Sequence, residues 1–325
     1  MIEVAPRIHR IEAPFMGRFV CMYLLVGDLS CLLVDTGTDP MPGEFIVPYL
    51  DEIGVDPSRI RYVVNTHADF DHTAGNASVQ ELNPKAVFMC HAFDQVMVED
   101  IERMIEDRYS EYEADHGIGD GDEAKEFIRS SSRHVNMDIA LQGGEQLRLG
   151  ADWCVEILHT AGHSRGHVSV HDASSRSLII ADSTLHNAVP LADGSPAFPP
   201  TYRYTESYLA SMGRFRSMDF DLLLTSHYPI CHGAVEIGNF LGESRAFVDR
   251  VESALERELQ GAETGRALRE LTENLGTALG EWPQEASSYL CFPFLGHLER
   301  MERHGKVKTG RRDGLLSYIW SGATA

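Results

Sequence analysis

Cysteine pairing is missing from this chain of 325 residues. The six cysteines, Cys21, Cys31, Cys90, Cys154, Cys231 and Cys291, form no CxxC pair, and several sit inside apolar runs such as Val20-Cys21-Met22. They read as reduced core residues of a cytoplasmic protein rather than as a disulfide framework. A run of about 18 apolar residues is also missing, so no membrane span is expected. The opening stretch, MIEVAPRIHRIEAPF, has no basic segment followed by an apolar one, so no secretory signal is expected. Basic charge is scarce: 28 Lys and Arg stand against 49 Asp and Glu, a net of -21. A surface that acidic repels phosphate backbones and anionic membranes. It weighs against a nuclease or nucleic-acid binder without excluding either. Its commonest meaning is plain solubility.

What is present is a globular composition, 43% hydrophobic, enough for a sizeable core. The length suits one large domain with an appendage, or two domains. Apolar runs at 20–26 and 30–34, joined by Gly27-Asp28-Leu29, signal a hairpin. The second run ends in Asp35-Thr36-Gly37-Thr38-Asp39-Pro40, a loop, and a helix is expected over 43–53. Short strands are expected at 60–64, 87–90, 146–149, 154–158, 167–171, 178–181 and 221–225. Between them, Phe93, Val96, Met97, Ile101, Met104, Ile105 and Tyr109 recur at spacings of three and four, a helical pattern. A second short helix is expected over 123–131. After residue 236 three helices and a hairpin follow, an order like a winged helix. Lys306, Lys308, Arg311 and Arg312 lie in that hairpin. A solvated hairpin explains them more simply than nucleic-acid contact does.

The chemistry concentrates where strands stop. Thr66-His67-Ala68-Asp69-Phe70-Asp71-His72 places four potential ligands within six residues, directly after the 60–64 strand. Alone, a polar loop is the less favoured reading of such a cluster. Three later segments repeat the device: Thr160-Ala161-Gly162-His163, Ala181-Asp182-Ser183 and Thr225-Ser226-His227. Ligands at strand ends are how layered folds expose reactive groups above a buried core.

In order and spacing these segments resemble the metallo-β-lactamase superfamily, whose first metal motif is HxHxDH. The resemblance covers roughly residues 15–235. It implies an α+β fold, a four-layer αββα sandwich. Here that sandwich would carry a helical insertion at about 92–133, in a catalytic domain over 1–235. Residues 236–325 would form a small helical, winged-helix-like appendage. It further implies that His67 and His163 bind one metal, that Asp71, His72 and His227 bind a second, and that Asp182 bridges them. Asp35 matches a residue that usually supports the ligands. Imidazole and carboxylate donors suit two Zn ions, and also Fe or Mn. The implied activity is a metal-dependent hydrolase in which metal-activated water attacks a small ester, lactone, thioester or related electrophile. Asp71 is then a candidate catalytic residue, orienting water or assisting proton transfer. Tyr228, beside His227, is a candidate oxyanion donor, although ordinary packing explains it more simply.

Asp69 departs from the pattern, standing where the family usually has its second His. Three readings stay open. It ligates directly and favours Fe or Mn; it falls short, leaving a mononuclear enzyme; or it acts through water. Flavodiiron members carry Glu at this place, which keeps a diiron redox or oxygen-binding protein as an alternative. A hydrolytic dehalogenase and a nuclease are further ones. A small-molecule substrate is expected, without membrane or nucleic acid, and a homodimer stays open. His134, His159, His186 and His232 lie near ligand segments, and each reads more simply as a supporting or surface residue. Phe93, Met97, Met104, Tyr109, Tyr112 and Phe127 of the insertion are candidate pocket walls, as is the 198–202 segment, though such stripes are more often core.

Overall fold

The computed structural model describes residues 1–322. Its layering follows from strands that are apolar on both faces. In such strands alternate residues must find cover on opposite sides. The first sheet contains β1 (Ile2–Ala5), β2 (Ile8–Phe15), β3 (Arg18–Val26), β4 (Cys31–Val34), β5 (Ile60–Val64), β6 (Val87–His91) and β7 (Ile139–Leu141), in that order. It is antiparallel as far as β4 and parallel beyond. The second sheet uses β8 (Gln146–Arg148), β9 (Cys154–His159), β10 (Val168–Asp172) and β11 (Ser177–Ala181). A small hairpin, β12 (Val189–Pro190) and β13 (Pro196–Phe198), stands apart, and β14 (Leu222–Thr225) and β15 (Cys231–His232) complete that sheet in the order β15-β14-β11-β10-β9-β8.

On β3, Cys21, Tyr23 and Leu25 face the second sheet, while Val20, Met22 and Leu24 face helices. On β14, Leu222 and Leu224 face the first sheet, and Leu223 turns to Phe215, Ile237 and Phe240. The result is helix, sheet, sheet, helix, the expected sandwich. Each fully buried aliphatic side chain in it contributes roughly 1.5–3 kcal/mol.

The insertion is helical but not one helix. The expected stripe breaks at Asp100, whose side chain accepts from the backbone amides of Glu102 and Arg103 and so starts a new helix, Ile101–Met104. Helices Gln95–Glu99, Ile105–Tyr109, Glu113–His116 and Asp122–Ser131 complete it. A helix absent from the sequence reading, Thr205–Ser217, packs on the second sheet. Beyond it come the long helix Gly233–Gln260, a short β16 (Arg266–Ala267), helices Leu268–Leu279 and Cys291–Arg303, and the hairpin β17 (Val307–Arg312) and β18 (Leu315–Trp320). The strands form a small sheet ordered β16-β18-β17. This C-terminal part shares its core with the rest. Phe247, Leu271 and Leu298 belong to one cluster with Tyr112, Tyr202 and Tyr208. No described helix is long and apolar enough to cross a membrane.

Candidate metal centre

Four strands end at one rim of the sandwich, and each delivers polar residues there. After β4 comes Asp35, after β5 Thr66 and His67, after β11 Asp182, and after β14 His227. The turn after β9 brings His163. Two of these exits use left-handed backbone at non-glycine residues, Asp35 (φ 59°) and Ala181 (φ 44°). Such conformations cost about 1–3 kcal/mol and persist where the surroundings dictate them. At Gly162 a side chain is barred outright, because a Cβ there would lie 2.7 Å from the Tyr208 Cα.

Each imidazole has its Nδ1 against a neighbouring oxygen, which turns Nε2 toward the centre. His67 Nδ1 lies 2.9 Å from Thr66 Oγ1, His72 Nδ1 2.9 Å from Asp35 Oδ2, and His227 Nδ1 2.9 Å from the Phe19 carbonyl. His163 Nδ1 is 3.4 Å from Thr201 Oγ1. Fixing one ring nitrogen so that the other can ligate is how metal-binding histidines are oriented. Asp35 does this for two segments at once. Its carboxylate also accepts from the Thr66 amide at 2.7 Å and the Thr66 hydroxyl at 2.8 Å.

Ligand atoms of these side chains converge in two triads. His67, His163 and Asp182 bring ligand atoms within 4.8 Å of one another, and so do Asp71, His72 and His227. Asp182 lies between them, with Oδ2 3.2 Å from His227 Nε2 and 3.9 Å from His72 Nε2. His67 Nε2, His72 Nε2 and Asp182 Oδ1 are buried and have no hydrogen-bond partner. Buried polar atoms without partners are costly, and three together aimed at one spot fit a bound cation. The field agrees. Burial pulls His72 down, but Asp71, Asp35 and Asp182 push it up to about 10. Burial also opposes the Asp182 carboxylate, yet His227, then His72 and His67, hold it well below the usual range.

Asp69 belongs to neither triad. It lies beside the first, with Oδ2 3.0 Å from His163 Nε2 and 3.7 Å from His67 Nε2. Both of its oxygens are taken by the Arg108 fork, Nε to Oδ1 at 2.7 Å and Nη2 to Oδ2 at 2.9 Å. Nη2 of the same guanidinium also lies 3.0 Å from His163 Nε2. Burial works against the Asp69 charge, and Arg108 then holds its carboxyl well below the ordinary range. Arg108 comes from the insertion, and the Phe292 ring of the C-terminal part stacks on it at 4.4 Å. Nothing in the sequence singled Arg108 out, since it sits in a charged helical stretch with Asp107 and Arg103. Asp94 was missed as well. It is fully buried and accepts from the Ser164 hydroxyl and, at 2.7 Å, from the Gly166 amide, which braces the His163 turn.

Above the triads opens a cavity of about 450 Å³. Tyr109, Tyr112 and Phe127 of the insertion line it, together with Phe198 and Thr201, where plain core packing was the simpler expectation. Phe93 is instead exposed, and Met104 packs in a small core with Ile105 and Ile128. Phe15, Phe70 and Phe292 supply walls the sequence did not suggest. Tyr228 is not in the lining. It is buried, and its hydroxyl donates to the Ala188 carbonyl at 3.1 Å. His186 packs on Tyr228 and Phe240, and His159 stacks on His91.

A sandwich of two sheets with histidine and aspartate triads at its rim defines a metallohydrolase-like class. The chain belongs to the metallo-beta-lactamase superfamily, whose family model matches residues 16–227. It is a superfamily of proteins that bind metal ions and are generally hydrolytic. Among solved structures, a metallo-beta-lactamase family protein from Thermus thermophilus aligns with a TM-score of 0.76 and 19% identity, covering 98% of this chain and 100% of that one. A beta-lactamase domain protein from Burkholderia ambifaria aligns at 0.74 and 18%, over 98% and 93%. An archaeal superfamily protein from Sulfolobus tokodaii aligns at 0.55 and 17%, over 86% and 97%. At these identities the likeness establishes the fold.

Proposed function

We propose that this protein is a metal-dependent hydrolase of a small, largely apolar ester, lactone, thioester or related electrophile. The observation that carries the reading is the convergence of partnerless, buried ligand atoms at the floor of an aromatic cavity. His67, His163 and Asp182 would hold one ion, and Asp71, His72 and His227 the other, with Asp182 shared. Zn fits these donors best, with Fe or Mn as substitutes. A bound ion supplies Lewis acidity and lowers the pKa of water from about 16 toward 7.

The rest falls to the chain. Asp71 faces the cavity, where its carboxylate orients water or takes up a proton. The aromatic walls exclude bulk water and strengthen every charge interaction at the floor. Asp69 acts through Arg108 rather than as a free ligand. That pairing weighs against the diiron reading, which needs an available carboxylate there. Lys306 pairs with Glu256, Arg311 with Asp115 at 2.6 Å, and Arg312 with Glu270. Those pairs weigh against the hairpin as a nucleic-acid contact.

Metal content per chain, measured on protein purified without added metal, separates zinc from iron and one ion from two. Protein loaded in turn with Zn, Mn and Fe is then assayed on esters, lactones, thioesters and haloaromatics. Turnover of at least one class, abolished in Asp182→Ala, is expected. No turnover on any, with Asp182→Ala indistinguishable, overturns the proposal.

A further inference from the structure

Two arginines line the cavity, and they differ in one respect. Arg108 is committed to Asp69. Arg18 is committed to nothing. Among the described residues no carboxylate lies within ion-pair distance of it, and its Nε is buried without a hydrogen-bond acceptor. Its guanidinium lies instead against aromatic faces, 4.6 Å from the Phe198 ring and 5.4 Å from the Phe15 ring. A cation held between aromatic rings, with one donor already stripped of water, is poised for a planar anion, because the guanidinium fork matches a carboxylate in two places.

The position is rigid. Arg18 opens β3 and pairs with Phe15 across a two-residue turn, Met16-Gly17, in which both residues have positive φ (46° and 76°). Turns of that kind match the twist of the strands they join. The tip is pinned, because the Gly17 carbonyl accepts from the Ala192 amide at 2.9 Å. The site side is fixed too. Phe19, the next residue, is the one whose carbonyl holds His227 Nδ1. Arg18 therefore shares one cavity lining with Asp71 and His227 of the second triad, and Arg108 lies against His163 of the first.

We infer that Arg18 is the anion-recognition residue of the cavity, and that the natural substrate carries a carboxylate on a largely apolar, aromatic-sized body. The body fits the walls. Met16, Phe127 and Tyr289 are exposed apolar residues, and all three gather at this cavity. Exposed apolar surface grouped in this way marks a place where apolar ligands enter. The other carboxylates of the lining outside the triads and Asp69, Asp120 and Glu123, lie on the insertion. They disfavour a second negative charge on that side, which restricts the ligand to one. The inference rests on the hydrolase reading for the fate of the ligand, but not for whether the ligand binds.

The test is therefore binding rather than turnover. Titration calorimetry on zinc-loaded protein, repeated on chelator-treated protein, compares 4-phenylbutyrate with its neutral amide. Wild type is expected to prefer the carboxylate by tenfold or more in both states. Arg18→Gln is expected to lose the preference while binding the amide within twofold of wild type, and Arg18→Lys to keep part of it. Thermal unfolding controls for damage. Arg18 has no ion-pair or hydrogen-bond partner to lose, only its contacts with Phe15 and Phe198, so Arg18→Gln is expected to melt within a few degrees of wild type. An unchanged carboxylate preference in Arg18→Gln would overturn the inference, since the ions would then be reading the charge. So would a wild type that binds both ligands equally. A protein that binds as expected but hydrolyses nothing would leave this inference standing and remove the hydrolase reading.

Discussion

Arg108→Met gives the sharpest test of how the first triad works. The substitution removes the guanidinium and keeps an unbranched stem against Phe292. It leaves the Asp69 carboxylate, 16% exposed, without the two hydrogen bonds at 2.7 and 2.9 Å that hold it. Removing one member of a buried pair costs about 3–5 kcal/mol. The residual exposure of Asp69 places this case near the lower end. The freed carboxylate then becomes a ligand beside His67 and His163, and the positive charge that repelled an incoming cation is gone. An ion present at 100 times its dissociation constant returns roughly 2.7 kcal/mol. Urea unfolding in chelator should therefore show a loss of about 3 kcal/mol, and saturating zinc should restore most of it. The more weakly held ion should bind at least tenfold tighter than in wild type. Adding Asp69→Asn should erase that gain. A loss under about 1 kcal/mol in chelator would refute the buried-pair argument. Weaker metal binding in Arg108→Met would refute the idea that the arginine competes for Asp69, and would show that it supports the triad instead.

Four further outcomes follow from the geometry. Asp35→Ala leaves His72 Nδ1 and the Thr66 amide unpaired in the interior, so equilibrium unfolding should show a cost of roughly 2–4 kcal/mol, and dialysis should show metal affinity falling about 10–100-fold. Gly162→Ala drives a methyl into the Tyr208 backbone and should displace His163, seen as the loss of one ion per chain by elemental analysis. Tyr228→Phe removes only a bond to Ala188, so kcat should stay within about threefold, at a stability cost of about 1 kcal/mol; a hundredfold fall in kcat would restore the oxyanion role. Glu252 is held at about 2 by the His297 hydrogen bond, against burial and with help from Arg300 and Lys306. A carboxyl whose folded value is depressed adds stability that is complete above its unfolded value and fades as pH falls through the folded one. Glu252→Gln should thus flatten the stability profile between about pH 5 and 2, by about 2 kcal/mol, as followed by circular dichroism.

The sandwich and its ligands could be read because their signals are local. A strand with both faces buried is an apolar run whatever surrounds it, and a His or Asp at its end stands out. The register of β3 and β14 puts each residue on the side that simple alternation assigns. Where the signal was mixed, the reading failed. Helix Thr205–Ser217 buries Thr205, Tyr208, Ser211, Met212 and Phe215 at helical spacing, but a Thr and a Ser in that stripe hide it. The insertion showed a continuous period through residue 100, and only the side chain of Asp100, turned back onto two amides, ends one helix and starts the next.

Arg18 and Arg108 were illegible for a different reason. An arginine in sequence carries no mark of its partner, and these two act oppositely because of what tertiary packing places beside them. Arg108 reaches the first triad only because the insertion folds over it and Phe292 closes from the C-terminal part. Arg203 ties those two regions together, pairing with Glu111 at 2.8 Å and Glu299 at 2.7 Å. A C-terminal part that was merely appended would have no reason to supply Phe292 and Tyr289 to the cavity or to clamp, through Arg203, the turn that follows Arg108. The departure at Asp69 is thus matched by structure on both sides of it. The carboxylate, the cation that takes it and the ring behind that cation come from three separate stretches of chain. They should change together, so that replacing any one of them alone alters the first triad more than replacing all three.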